Sequence, residues 1–144
     1  MLAFHPDGTL AYVSCLAPEE THTFSLFDEY VIDEGRVDSS LAAFYCYASW
    51  FYRRLGEAKT PIFSLYTTVV LFDEQGRRLG KRPASRLDSI TVNMGFPDQC
   101  NPLVIPQRPL KIAYARLMDY QDLSEELMHL IVRACKAGGR YYEA

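Results

Sequence analysis

A chain of 144 residues with 49% hydrophobic, 13% aromatic and 23% charged residues has the size of one ordinary domain and is too apolar for intrinsic disorder. A net charge of −3 argues neither for nucleic acid nor against it, and no run approaches the ~18 uninterrupted apolar residues that a membrane-spanning helix requires. The first residues reach His5, Pro6 and Asp7 too soon for a secretory signal, so the expectation is one cytoplasmic domain over residues 1–144 with no membrane contact.

The chain opens as a hairpin. Apolar Leu2, Ala3 and Phe4 lead into the turn sequence His5-Pro6-Asp7-Gly8, and Thr9 to Leu16 return as a second strand. Ala17-Pro18-Glu19-Glu20 breaks that strand, and Thr23 to Ile32 is again β-like until Asp33-Glu34-Gly35 ends it. A helix follows, with Asp38 or Ser39 as its N-cap. Leu41, Phe44, Tyr45, Ala48, Phe51, Tyr52 and Leu55 recur at helical spacing before Gly56. Its opposite side carries Ala42, Ala43, Cys46, Tyr47 and Trp50 before turning basic at Arg53 and Arg54, so the helix is apolar almost all round.

Thr60 to Phe72 is β-branched and aromatic, and Asp73-Glu74-Gln75-Gly76 is expected to turn it back as a hairpin into Arg77 to Arg82. Another candidate strand, Ile90 to Met94, precedes a stretch with Pro97, Pro102, Pro106 and Pro109, which on proline content excludes regular structure. Leu110 to Met118 forms the last strand. Asp122 and Glu125 resemble a capping box, and Leu123, Leu127, Leu130, Ile131 and Ala134 form the apolar stripe of a second helix stopped by Gly138-Gly139. The expected fold is α+β, a single antiparallel sheet of about six to seven strands in the order βββαβββ-loop-βα, packed with two helices.

Chemistry is sparse. The cysteines, Cys15, Cys46, Cys100 and Cys135, have no metal-site spacing and are expected to be reduced and mostly buried. His5 falls in a turn and His129 on the polar face of the second helix, as solvated histidines do; His22 is a lone candidate ligand or base. The H-x-[ST] pair of two-histidine phosphoesterases is absent, as are phosphate-binding glycine loops. The acidic pairs Asp28-Glu29, Asp33-Glu34 and Asp73-Glu74 have the character of solvated turns rather than acid–base or cation sites. No catalytic residue, cofactor or metal follows from these patterns.

Two surface features remain. Residues 1–50 hold eight acidic residues against one basic, Arg36, whereas Arg77, Arg78, Lys81, Arg82 and Arg86 form a basic arm suited to an anion or nucleic acid but without interleaved stacking rings. Tyr47, Trp50, Arg53 and Arg54 lie opposite the core stripe of the first helix and are the residue types that dominate protein interfaces. The expectation is a non-enzymatic protein–protein interaction protein, an adaptor, inhibitor or assembly subunit, with a protein partner or a homodimer contact on that face. A small-molecule or anionic-ligand-binding domain is the alternative, together with a nucleic-acid-associated protein using residues 77–86.

Overall fold

The computed structural model describes residues 1–14, 16, 31–57, 62–72, 77–81 and 102–143. Strands β1 (Leu2–Phe4) and β2 (Leu10–Tyr12) are followed by β3 (Val31–Asp33), helix α1 (Glu34–Glu57), β4 (Ser64–Leu71), β5 (Arg78–Gly80) and β6 (Leu103–Ala113). A 3-10 turn at Tyr114–Asp119 leads into helix α2 (Tyr120–Ala137), and β7 (Tyr141–Tyr142) ends the described chain. The fold is mixed α+β, as its sequence pattern implies.

The expected single antiparallel sheet is replaced by three small ones. β1 and β2 form an antiparallel hairpin, β4 and β6 an antiparallel ribbon, and β3, β5 and β7 a three-stranded sheet with β5 in the centre. This last sheet is parallel throughout. The hairpin expected between Thr60–Phe72 and Arg77–Arg82 therefore does not form. Both edges of β5 are occupied by β3 and β7, and β4 pairs with β6 instead. Parallel pairing requires a crossover between strands, and the helices provide it: α1 lies in the connection from β3 to β5, and α2 in the connection from β5 to β7.

The first hairpin forms about the expected turn, but its second strand, expected over Thr9 to Leu16, spans only Leu10–Tyr12. Gly8, at φ +89°, closes the turn with its N–H on the His5 carbonyl at 3.0 Å, and the Asp7 carboxylate accepts the Thr9 N–H at 2.8 Å. That backbone donor holds the Asp7 carboxyl below its usual range.

α1 begins a turn earlier than the expected Asp38 or Ser39 cap. The Asp33 carboxylate accepts the Gly35 N–H at 3.2 Å, so the strand-ending acidic residue is itself the helix cap. At α2 the capping-box expectation fails. Asp119 is the N-cap without a side-chain bond, while Asp122 pairs with Arg116 at 3.1 Å and Arg116 also reaches Glu126 at 2.7 Å. The expected strand Leu110–Met118 stops at Ala113. At the other end Gly139 takes φ +67° and its N–H caps the Lys136 carbonyl, as Gly138-Gly139 implies.

Pro106 and Pro109 lie within β6, against the expectation of irregular chain. The register explains their tolerance: β4 and β6 pair at Leu65 with Ile112 and at Val70 with Val104, but the pairing shifts between Thr67 and Val69, leaving the prolines outside the paired positions. The candidate strand at Ile90–Met94 and most of Thr23–Ile32 lie outside the described residues.

The core forms where the helices meet. Leu123, Leu127 and Ile131 of α2 are fully buried against Val37, Leu41, Tyr45, Ala48 and Tyr52 of α1, with Leu79 of β5 and Ile105 and Ile112 of β6 closing the cluster. Leu130 and Ala134, placed on the expected stripe, are only partly buried, while Met128 and Cys135 are buried.

Two substitutions test this arrangement by urea denaturation. Leu127→Ala should destabilise by about 3 kcal/mol through lost burial and the cavity left behind. At Gly80 an added Cβ would lie 2.9 Å from Val31 Cγ1 and 3.0 Å from Tyr142 Cβ, where β5 meets both neighbours. Gly80→Ala should cost about 1–3 kcal/mol by overpacking, whereas an antiparallel β4–β5 hairpin would tolerate it.

Candidate functional site

α1 presents a second apolar surface. Its core residues recur on one side, and on the opposite side Gly35, Ser39, Ala43, Cys46, Tyr47, Trp50, Arg53, Arg54 and Glu57 are exposed. Trp50 is 54% exposed and Tyr47 38%. The Arg54 guanidinium lies 5.9 Å from the Trp50 ring centroid and 3.9 Å from the Glu57 carboxylate, an exposed ion pair of little energetic weight. Tyr47, Trp50, Arg53 and Arg54 are thus brought together as the helical spacing implies.

The first hairpin extends this surface, which its sequence does not reveal. Phe4 packs on Phe51 at 5.0 Å between ring centroids, Tyr12 stacks on Phe44 at 5.8 Å, and Tyr47 stacks on Phe51 at 6.3 Å. Phe4 is 52% exposed, and Tyr12 is also exposed. The hairpin is tied to α1 by the Tyr52 hydroxyl, which donates to the Gly8 carbonyl at 2.8 Å. Burial raises the Tyr52 phenol. The alternation Leu2-Ala3-Phe4 and Leu10-Ala11-Tyr12 was the available signal, since an isolated hairpin must place such residues against something.

The basic segment is described only in part. Arg77 and Arg78 are half-buried, Leu79 and Gly80 are buried within β5, and Lys81 is exposed; Arg82 and Arg86 lie outside the described residues. Arg77 and Arg140 line a cavity of about 30 Å³ with Ile32, Leu71, Leu79, Leu103 and Cys135. That volume holds a water or two rather than a metabolite. Burial pushes the Cys135 thiol up to about 11 despite the nearby Arg140, which makes it a poor nucleophile at neutral pH.

Catalytic features do not assemble among the described residues. His5 and His129 are exposed, as expected for solvated histidines, and His22 lies outside the described residues. No group of three or more His, Cys, Asp or Glu side chains is placed to hold a metal ion among the described residues. Cys46 is free and exposed and Cys135 is buried, while Cys15 and Cys100 lie outside the described residues; Cys46 lies beside Tyr120 of α2 and raises that phenol. Asp33 and Glu34 serve the fold: Asp33 caps α1, and Glu34 accepts the Tyr141 hydroxyl.

Among the described residues no helix is long and apolar enough to cross a membrane. Comparison with protein-family models, curated proteins and solved structures finds no match.

The Tyr141–Glu34 contact carries a pH signature. Burial, and then the Glu34 carboxylate, push the Tyr141 phenol from the ordinary 10.0 up to about 12. Because the folded value is raised, the stabilisation is in place between neutral pH and 10 and is lost as pH rises from 10 to about 12. In urea titrations the advantage of the native chain over Tyr141→Phe should be constant from neutral pH to 10 and shrink across that window.

Proposed function

We propose that this chain is a non-enzymatic protein–protein interaction protein whose contact surface is the outer face of α1, centred on Tyr47 and Trp50 and bordered by Arg53 and Arg54. The continuous ring surface from Trp50 through Tyr47 and Phe51 to Phe4 carries this reading. Its outer rings remain in water while the core beneath is closed by Tyr45, Ala48 and Tyr52. Rigid aromatic side chains with arginines at their border contribute large contact area at small entropic cost, as interface hot spots do.

Two further observations accord with it. The β4–β6 ribbon places Thr67 against the Tyr45 hydroxyl, so the side of α1 facing the ribbon is occupied and the opposite side is left for a partner. The cavity at Cys135 holds a water or two, and Arg77 and Arg78 are half-buried, so among the described residues the exposed rings of α1 are the larger candidate contact.

The test is sedimentation of the purified protein, followed by quantitative capture from its native extract. A stoichiometric protein partner or a stable oligomer is expected. Tyr47→Ala/Trp50→Ala should weaken the contact about thirtyfold or more while leaving the circular dichroism spectrum unchanged. Unchanged association of this variant would remove α1 from the interaction.

A further inference from the structure

The outer face of α1 is ordered along its length in both size and charge. The exposed residues of its N-terminal half are Gly35, Asp38, Ser39 and Ala43, and those of its C-terminal half, Cys46 apart, are larger: Tyr47, Trp50, Arg53, Arg54 and Glu57, of which Glu57 pairs with Arg54. Exposed Asp38 lies in the first half and exposed Arg53 in the second. At 3.6 residues per turn Arg53 lies about 60° and Asp38 about 120° from Trp50 in the same direction around the axis, so Asp38 stands at the edge of the face on the flank that carries Arg53.

We propose that the partner docking on this face is a second copy of the chain, with the two α1 helices antiparallel about a two-fold axis beside Cys46. This rests on the interaction reading above and supplies its partner. The two-fold axis relates equivalent flanks, so Asp38 of one copy meets Arg53 of the other when the midpoint of the contact falls between Tyr45 and Cys46. In the same register Trp50 comes level with position 41 of the second copy, midway between Ser39 and Ala43. Ser39, Ala43 and Trp50 lie on nearly the same line along the helix, so the indole enters the hollow between the two small side chains.

Charge and shape are both satisfied in this register. A parallel arrangement would oppose Trp50 to Trp50 and Arg53 to Arg53, setting bulk against bulk and like charges together. Both ends of the contact are equivalent, so it closes at two copies and does not propagate. The aromatic hairpin residues Phe4 and Tyr12 would form part of its apolar border.

The experiment is sedimentation equilibrium of the full chain over a concentration series, with charge reversal. The native protein should be a dimer. Asp38→Arg and Arg53→Asp should each weaken it, and the double variant Asp38→Arg/Arg53→Asp should restore it; Trp50→Ala should weaken it about thirtyfold. A short bismaleimide should link the two copies in the native protein and fail to do so in Cys46→Ser, since the two Cys46 thiols lie beside the axis. All these positions are exposed, and circular dichroism would verify that each variant folds.

A native protein that stays monomeric at every concentration overturns the second copy as partner. If that monomer still binds a different protein through Trp50, the interaction reading stands. A dimer insensitive to Trp50→Ala and to both charge reversals, and not linked through Cys46, overturns the contact and the assignment of α1 as the interaction surface together.

Discussion

The arrangement depends on burial of one stripe of α2, Leu123, Leu127 and Ile131, between α1 and the strands. The parallel sheet cannot supply comparable stability, because β3 and β5 are three residues long and β7 is two. Ladders of that length are marginal in water. Each fully buried aliphatic side chain contributes roughly 1.5–3 kcal/mol, so the three α2 residues outweigh the few ladder hydrogen bonds they hold together. α2 therefore organises the sheet, rather than the sheet positioning the helix. The close approach of Val31 and Tyr142 to Gly80 follows from this, since the strands are drawn together under the helices and only a residue without a side chain fits at the centre.

The helices and the first hairpin were legible in sequence because their signals are local. Leu41, Tyr45, Ala48 and Tyr52 declare their burial by spacing alone, and Pro6, Asp7 and Gly8 specify a turn whatever surrounds them. Sheet topology was not legible. The parallel strands are too short to show periodicity, and the longer, more β-like Ser64–Leu71 and Leu103–Ala113 lie between them in the chain, concealing the two strand–helix–strand crossovers. Prolines misled for a related reason. They exclude a central strand, but β6 belongs to a two-stranded ribbon whose register shifts where they occur.

The candidate surface was legible to the same degree. Tyr47, Trp50, Arg53 and Arg54 follow from the geometry of a single helix, whereas Phe4 and Tyr12 join them through a tertiary contact, the Tyr52 hydroxyl on the Gly8 carbonyl. No spacing rule links residues 44 apart. In the basic segment five cations in ten residues read as an arm, while its described part places Arg77 and Arg78 half-buried beside Leu79 and Gly80 of a short buried strand. Long arginine stems can lie along apolar surface while their charged ends reach outward, so charge density alone does not establish exposure.

The aromatic residues of α1 divide by use. Tyr45 and Tyr52 bury their rings in the core and satisfy their hydroxyls on Thr67 and the Gly8 carbonyl, so they hold the ribbon and the hairpin to the helix. Tyr47 and Trp50 close no part of that core, and their rings stay accessible to water. A helix apolar on both sides is ordinarily buried on both sides. Here one side is covered by α2 and the strands, and the other carries a contiguous group of exposed rings with arginines at one end, a composition that water disfavours and a complementary protein surface would cover. The constraint that stabilises the fold thus ends at the inner face of α1.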